Sequence, residues 1–287
     1  MTAVGRVGAR VVGGATTARL VYGYLDRAYG GDADRLRRTN FRGRQVSLLG
    51  GVAFALASLG AVASDRAILP RVRVAATSAG VIAALAGGLD DVRGSGSARG
   101  LRGHLGALRH GEITTGAVKV AAIGAAGVVA GGKLAGGGVV RRLAAGVVVA
   151  GSANLANLLD VRPGRALKAG LLAAAPLAVA GGPGGGVAAL VGGAAAGVLP
   201  ADLAERVMLG DAGANCLGAL VGSALVAGAP SRRVAAATAC VVGLTLLSEV
   251  ASFSQLIDAS RPLRWLDRLG RLGRAGTARP TAKTADA

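Results

Sequence analysis

Three short stretches carry strongly polar side chains where the surrounding chain is apolar. In NLANLLDVRPGR (154–165), Asn154, Asn157 and Asp160 recur every three residues. On a helix each step of three turns back by about 60°, so the three side chains share one side. GGLDDVRG (87–94) ends an apolar run on two adjacent carboxylates, Asp90 and Asp91. VMLGDAGANCLG (207–218) sets Asp211 between Gly210 and Gly213, with Asn215 a turn further in. These oxygen donors suit Mg²⁺, which prefers one or two carboxylates plus substrate phosphate oxygens. Arg162, Arg165 and Lys168 follow the Asn–Asn–Asp stripe, and their cationic heads suit phosphate. Each stretch also has a plainer reading: a solvated helix end at 90–91, interhelical hydrogen bonds from Asn154 and Asn157, and a helix cap at Asp211.

The elements that would position these groups are read from composition. Of 287 residues 52% are hydrophobic but only 2% aromatic, and the apolar residues fall in long blocks of Ala, Val, Leu and Gly. Mean hydropathy is +0.52. The blocks approach the roughly 17–25 residues that cross a bilayer, and lipid demands internally satisfied backbones. The expected fold is therefore all-α and polytopic. About nine transmembrane helices fall near 5–25, 46–64, 72–89, 113–131, 143–159, 166–182, 185–200, 212–229 and 234–257. The first reads as a weak span rather than a signal peptide, because it lacks a clean apolar core and cleavage site. Residues 1–269 are expected to form one transmembrane domain, and 270–287 a disordered cytoplasmic tail. Cys216 and Cys240 both lie in apolar segments and suggest neither a disulfide framework nor a zinc site. The 49 glycines reflect a compositional bias toward Ala, Gly, Val and Arg, together with close helix packing.

The formal charge of +18 is distributed between the apolar blocks. That pattern favours a topology signal and contact with anionic lipid or phosphate over nucleic acid. Segments 26–45, 90–112, 160–165, 201–211 and the chain after 258 hold most of the arginines and would face the cytoplasm. Nearly every carboxylate falls on that same side, with Asp65 the clear exception. Acidic residues contribute little to insertion, so their crowding at one face points to a cation site there.

Taken together, the order DD, NxxNxxD, GDxG resembles the polyprenyl-phosphate N-acetylhexosamine-1-phosphate transferase family, which includes the MraY and WecA enzymes. The resemblance runs from TNFRGRQVSLLGG, beginning at Thr39, to about residue 220. It implies transfer of a sugar-1-phosphate from a UDP-sugar to a membrane polyprenyl phosphate, with release of UMP, for a cell-envelope polymer. It implies Mg²⁺ on the diphosphate, with Asp211 as direct ligand and Asn157 as second ligand or neighbour. Asp90 or Asp91 would organise the metal or lipid-phosphate site, and Asp160 would be an accessory acid or substrate contact, with Asn154 on the same wall. Lys119 would neutralise phosphate, although a lone cation one or two turns inside a span can also snorkel to the interface. Location at the plasma membrane with a cytoplasmic active face, and a homodimer, are further expectations from the family.

The sequence departs from the family in three places. Val161 follows Asp160 where members usually have Gly, the spans number fewer than ten, and no histidine follows His110. In place of a histidine-rich loop, Arg261, Arg264 and Arg268 are the candidates to meet the diphosphate. His104 and His110 read as polar loop residues. An active transferase, a non-enzymatic polyprenyl-phosphate-binding or scaffolding relative, and a transporter all remain compatible with the sequence. A transporter would place its polar residues nearer mid-membrane.

Overall fold

The computed structural model describes residues 2–30, 36–93 and 114–272. The loop holding His104 and His110, and the tail beyond 272, lie outside the described residues.

Among the described residues, nine long helices lie at the expected segments: α1 Ala3–Tyr29, α2 Leu49–Ser64, α3 Pro70–Arg93, α4 Thr115–Leu134, α5 Val139–Leu159, α6 Arg165–Ala180, α7 Gly182–Leu203, α8 Gly210–Val226 and α9 Ser231–Val250. Five of them, α3, α4, α5, α7 and α9, are long and apolar enough to cross a membrane. The protein is thus a helical, membrane-embedded type. α2 is apolar but only 16 residues long.

α7 is the central helix. Every residue from Gly184 to Ala195 is buried, and all but Val187, Leu190 and Val191 are Gly or Ala. Small side chains let α1, α2, α6 and α8 close around it. α8 in turn packs against α3 and α5, and α4 bridges those two. α9 is peripheral, touching mainly α5 and burying only Val234 and Val241.

Two features depart from the sequence reading. The segment before α2 forms an antiparallel hairpin, β1 Arg37–Thr39 with β2 Gln45–Ser47. The last span stops at Val250 rather than 257, and two short helices follow, α10 Phe253–Ala259 and α11 Arg261–Arg268. Ser252 and Gln255 form a reciprocal capping box that starts α10 afresh. That S-x-x-Q signal stands in the sequence and marks the true end of the span.

Candidate functional site

The structure gathers the three polar stretches at one end of the bundle. Lys119, just over one turn into α4, is the hub. Its ammonium donates to Asp90 Oδ2 at 2.6 Å and also to Asp211 Oδ2. The Thr115 hydroxyl donates to the other oxygen of Asp90 at 2.6 Å. Two carboxylates from helices α3 and α8 therefore converge on a single cation.

Asp91, the second expected carboxylate of the pair, lies against the start of α8. Its Oδ1 accepts from the Asp211 N–H at 3.1 Å and its Oδ2 from the Ala212 N–H at 2.9 Å. α8 has no side-chain cap of its own at Leu209. Asp91 supplies that cap from a separate helix and so orients Asp211; it is a positioning residue. Losing a helix N-cap costs about 1–2 kcal/mol. Asp91→Ala should lower thermal stability in detergent by that amount, and an unchanged melting curve would contradict the capping role.

Glycines allow these helices to meet. A Cβ on Gly87 would lie 2.3 Å from the Asp211 carbonyl oxygen, and one on Gly51 would lie 1.7 Å from the Leu209 carbonyl oxygen. Gly210 itself has φ +60°, which turns the chain into α8. The paired glycines at 50–51 and the GDAG turn are thus two sides of one contact.

α5 brings the Asn–Asn–Asp stripe alongside. A Cβ on Gly222 would meet Val148 and Val149, and one on Gly218 would meet Ser152 and Ala153. Continuing this antiparallel register by one turn sets Ala214 opposite Ala156 and Asn157. No hydrogen bond joins the side chain of Asn154 or Asn157 to another described residue. Asp160 closes α5 as its C-terminal cap residue. Burial first, then the neighbouring Asp202 carboxylate, push Asp160 well above the usual carboxylate range. Its Oδ2 is buried without a hydrogen-bond partner among the described residues.

Beside Asp160 lies a cleft of about 350 Å³, lined by residues that include Asn40, Phe41, Asp160, Arg162, Asp202 and Glu205. Its far wall is the hairpin. Ser47 pairs with Val207, so the hairpin extends onto the α7–α8 connection. Glu205, in the left-handed region at φ 55°, accepts from Asn40 Nδ2 at 2.9 Å and pairs with Arg42 at 2.7 Å. The TNFRG stretch is therefore fixed by Glu205. Asp202 and Glu205 were seen in the sequence only as part of the general acidity of that face, and Asn40 only as part of a loop. Pairing across more than 160 residues leaves no local pattern to read.

Of the basic residues after Asp160, only Arg162 lines the cleft. Arg165 is 5% exposed and pairs with Asp267 at 2.8 Å, also donating to Ser254. Lys168 donates to the carbonyls of Leu266, Asp267 and Leu269. Neither lines the cleft. Arg162 does, but both its terminal nitrogens donate to Asp258, at 2.8 and 3.1 Å. These cations strap α10 and α11 across the end of the bundle, because the buried Asp267 needs them. Arg261 and Arg264 sit on α11 in a separate hollow with Trp265 and Arg268, sharing no residue with the cleft.

The strap has a pH signature. Burial raises the Asp267 carboxyl, but the Arg165 hydrogen bond and the charges of Arg271, Arg165 and Arg162 outweigh it and hold the group below its ordinary range. A depressed carboxylate contributes its full stability above the unfolded value of about 3.9 and loses it as pH falls through the folded value. Thermal stability should be flat in this contribution above about pH 5 and fall below about pH 4, with a shallower fall in Asp267→Asn. Equal acid slopes in the two proteins would refute the assignment.

Two carboxylates facing one cation fit Mg²⁺ held jointly with phosphate oxygens. Among the described residues no group of three His, Cys, Asp or Glu side chains forms an all-protein metal cage. No protein-family model and no curated protein sequence matches this chain.

Proposed function

We propose that this protein is a divergent polyprenyl-phosphate glycosyl-1-phosphate transferase, built on an MraY/WecA-like bundle of nine membrane-crossing helices. Its working face would be the cytoplasmic side of the plasma membrane. The observation that carries the reading is the convergence of Asp90, Asp211 and Lys119 beside the Asp160 cleft, from segments far apart in sequence. The substrates are a UDP-sugar, with an N-acetylhexosamine as the favoured sugar, and a polyprenyl phosphate.

In this reading Asp211 and Asp90 would hold Mg²⁺, with Asn157 on α5 as a further candidate ligand. The ion would supply charge neutralisation on the diphosphate. An oxygen of the lipid phosphate attacks the phosphorus that bears the sugar. The bond from that phosphorus to the bridging oxygen breaks, and UMP leaves with the electron pair. A phosphate monoester is already largely ionised at neutral pH, so the chain's main task is placement rather than proton removal. Lys119 would exchange a carboxylate partner for a phosphate oxygen as the diphosphate arrives. Asp91 keeps Asp211 in register, and Asp160 lines the cleft in which the nucleotide-sugar would sit.

The engagement of Arg162, Arg165 and Lys168 in the strap favours a second reading, a protein that binds polyprenyl phosphate without turning over a nucleotide-sugar. One assay separates the two. Purified protein with polyprenyl phosphate and Mg²⁺ is offered a panel of UDP-sugars, and UMP is measured. The transferase reading expects release with at least one sugar that depends on both lipid phosphate and Mg²⁺. No release with any sugar sinks it, and saturable lipid-phosphate binding would then support the second reading.

A further inference from the structure

The sequence holds a single tryptophan, Trp265, and the structure leaves it 66% exposed on α11. Leu269 is 50% exposed, and Leu263 and Leu272 are 48% and 43% exposed. Large apolar groups at such exposure need an explanation, because α11 is otherwise firmly attached. Asp267 faces the bundle through Arg165 and Arg271. Trp265 and Leu269 each lie two residues from Asp267, about 200° round the helix, and so point directly away from the bundle. Arg261, Arg264 and Arg268 recur at helical spacing beside them. Together these residues line a hollow of about 470 Å³.

The level of α11 follows from its partners. The carbonyls of Leu266, Asp267 and Leu269 are held by Lys168, in the first turn of α6. A Cβ on Gly270 would lie 3.0 Å from a methyl of Leu203, the last residue of α7. α7 is apolar and long enough to cross a membrane. The C-terminal end of α11 is therefore level with the start of α6 and the end of α7, rather than projecting beyond them.

We propose that α11 is an interfacial anchor: Trp265 and Leu269 enter the boundary of the acyl chains while Arg261, Arg264 and Arg268 hold the phosphates of anionic lipid headgroups. An aromatic ring that is apolar in body and polar at one edge prefers this depth. Arginines near an anionic surface are drawn to its headgroup phosphates. The three arginines and the outward apolar pair match an anionic bilayer better than a neutral one. This inference rests on membrane embedding alone and is independent of the transferase reading.

The lone tryptophan makes the test direct. The full-length protein is placed in nanodiscs of phosphatidylcholine, with or without about 30% phosphatidylglycerol, and Trp265 emission is read with brominated lipid and with aqueous iodide. In anionic discs the emission should be blue-shifted, quenched by brominated lipid by about twofold or more, and shielded from iodide. The anion dependence should disappear in the triple variant Arg261→Gln, Arg264→Gln, Arg268→Gln. These arginines are exposed or half-buried and none makes the strap's contacts with Asp267, so the variant should keep the wild-type melting temperature. Emission that ignores brominated lipid and is freely quenched by iodide in both discs would overturn the proposal. Emission shielded from both quenchers would also overturn it, pointing to a protein partner on this face.

Discussion

On the proposed reaction, Asp211→Asn should cut UMP release by about 100-fold or more while leaving the protein folded. The substitution changes one carboxylate oxygen to an amide of the same shape. The Asp211 N–H that Asp91 accepts belongs to the backbone and is untouched, as is the Ala212 N–H. Lys119 keeps its bond to Asp90, so no buried ammonium is stranded. What disappears is a negative charge facing the point where a divalent cation and a diphosphate would meet. Removing one well-placed electrostatic group from an active site costs about 2.7–4 kcal/mol in the barrier, or 10²–10³ in rate. The check is UMP release measured beside a melting curve. A rate within about threefold of wild type, with the curve unchanged, would remove Asp211 from the chemistry. A large loss of stability would show instead that the Lys119 pair is chiefly structural.

The largest effect on the fold is expected at Gly51. A Cβ there would stand 1.7 Å from the carbonyl oxygen of Leu209 and 2.7 Å from its carbonyl carbon. Both are backbone atoms, so no rotamer change relieves the clash. Gly51→Val must push the start of α8 away from α2, breaking the Gly51–Gly213 contact and drawing Asp211 from Lys119 and Asp91. Overpacking a tight core typically costs 1–3 kcal/mol and more where backbone has to move. The variant should lose at least about 3 kcal/mol, seen as failure to accumulate or as early aggregation on heating in detergent. Gly60→Ala on the same helix provides the contrast. Nothing lies within 4 Å of its Cβ position, so the change should be neutral or gain up to about 1 kcal/mol. Similar behaviour of the two variants would mean that α2 and α8 do not meet as described.

The parts legible in the sequence were those written in local pattern. Helix positions follow from apolar blocks interrupted by turns, and α1–α9 fall where those blocks lie. The convergence of Asp90, Asp160 and Asp211 could be expected because each closes or opens a helix at the same end of the bundle. The identity of each group's partner was not legible. Asp91 and Asp90 are neighbours in sequence, yet one caps α8 and the other holds Lys119. Only the rotation of α3 about its axis distinguishes them, and no spacing rule fixes it. Arg162 and Arg165 looked like phosphate ligands because the carboxylates that claim them, Asp258 and Asp267, lie about a hundred residues away. The hairpin was hidden for a similar reason. Its strands are three residues each, too short for alternation to register, and the Glu205 contacts that fix it come from another part of the chain.

The junction of α3 with α8 has one more consequence. At Gly87 the two backbones touch without an intervening side chain, and one turn later Asp91 ties them together through two hydrogen bonds. Helices joined in this way translate and tilt as one body. The spacing between the Asp90 and Asp211 carboxylates is therefore set during folding, which on the proposed function would leave little electrostatic reorganisation for an arriving charged ligand. The hairpin wall of the cleft has no comparable backbone-to-backbone seam with α5. On the proposed function, any opening that admits a bulky nucleotide would fall outside this α3–α8 seam.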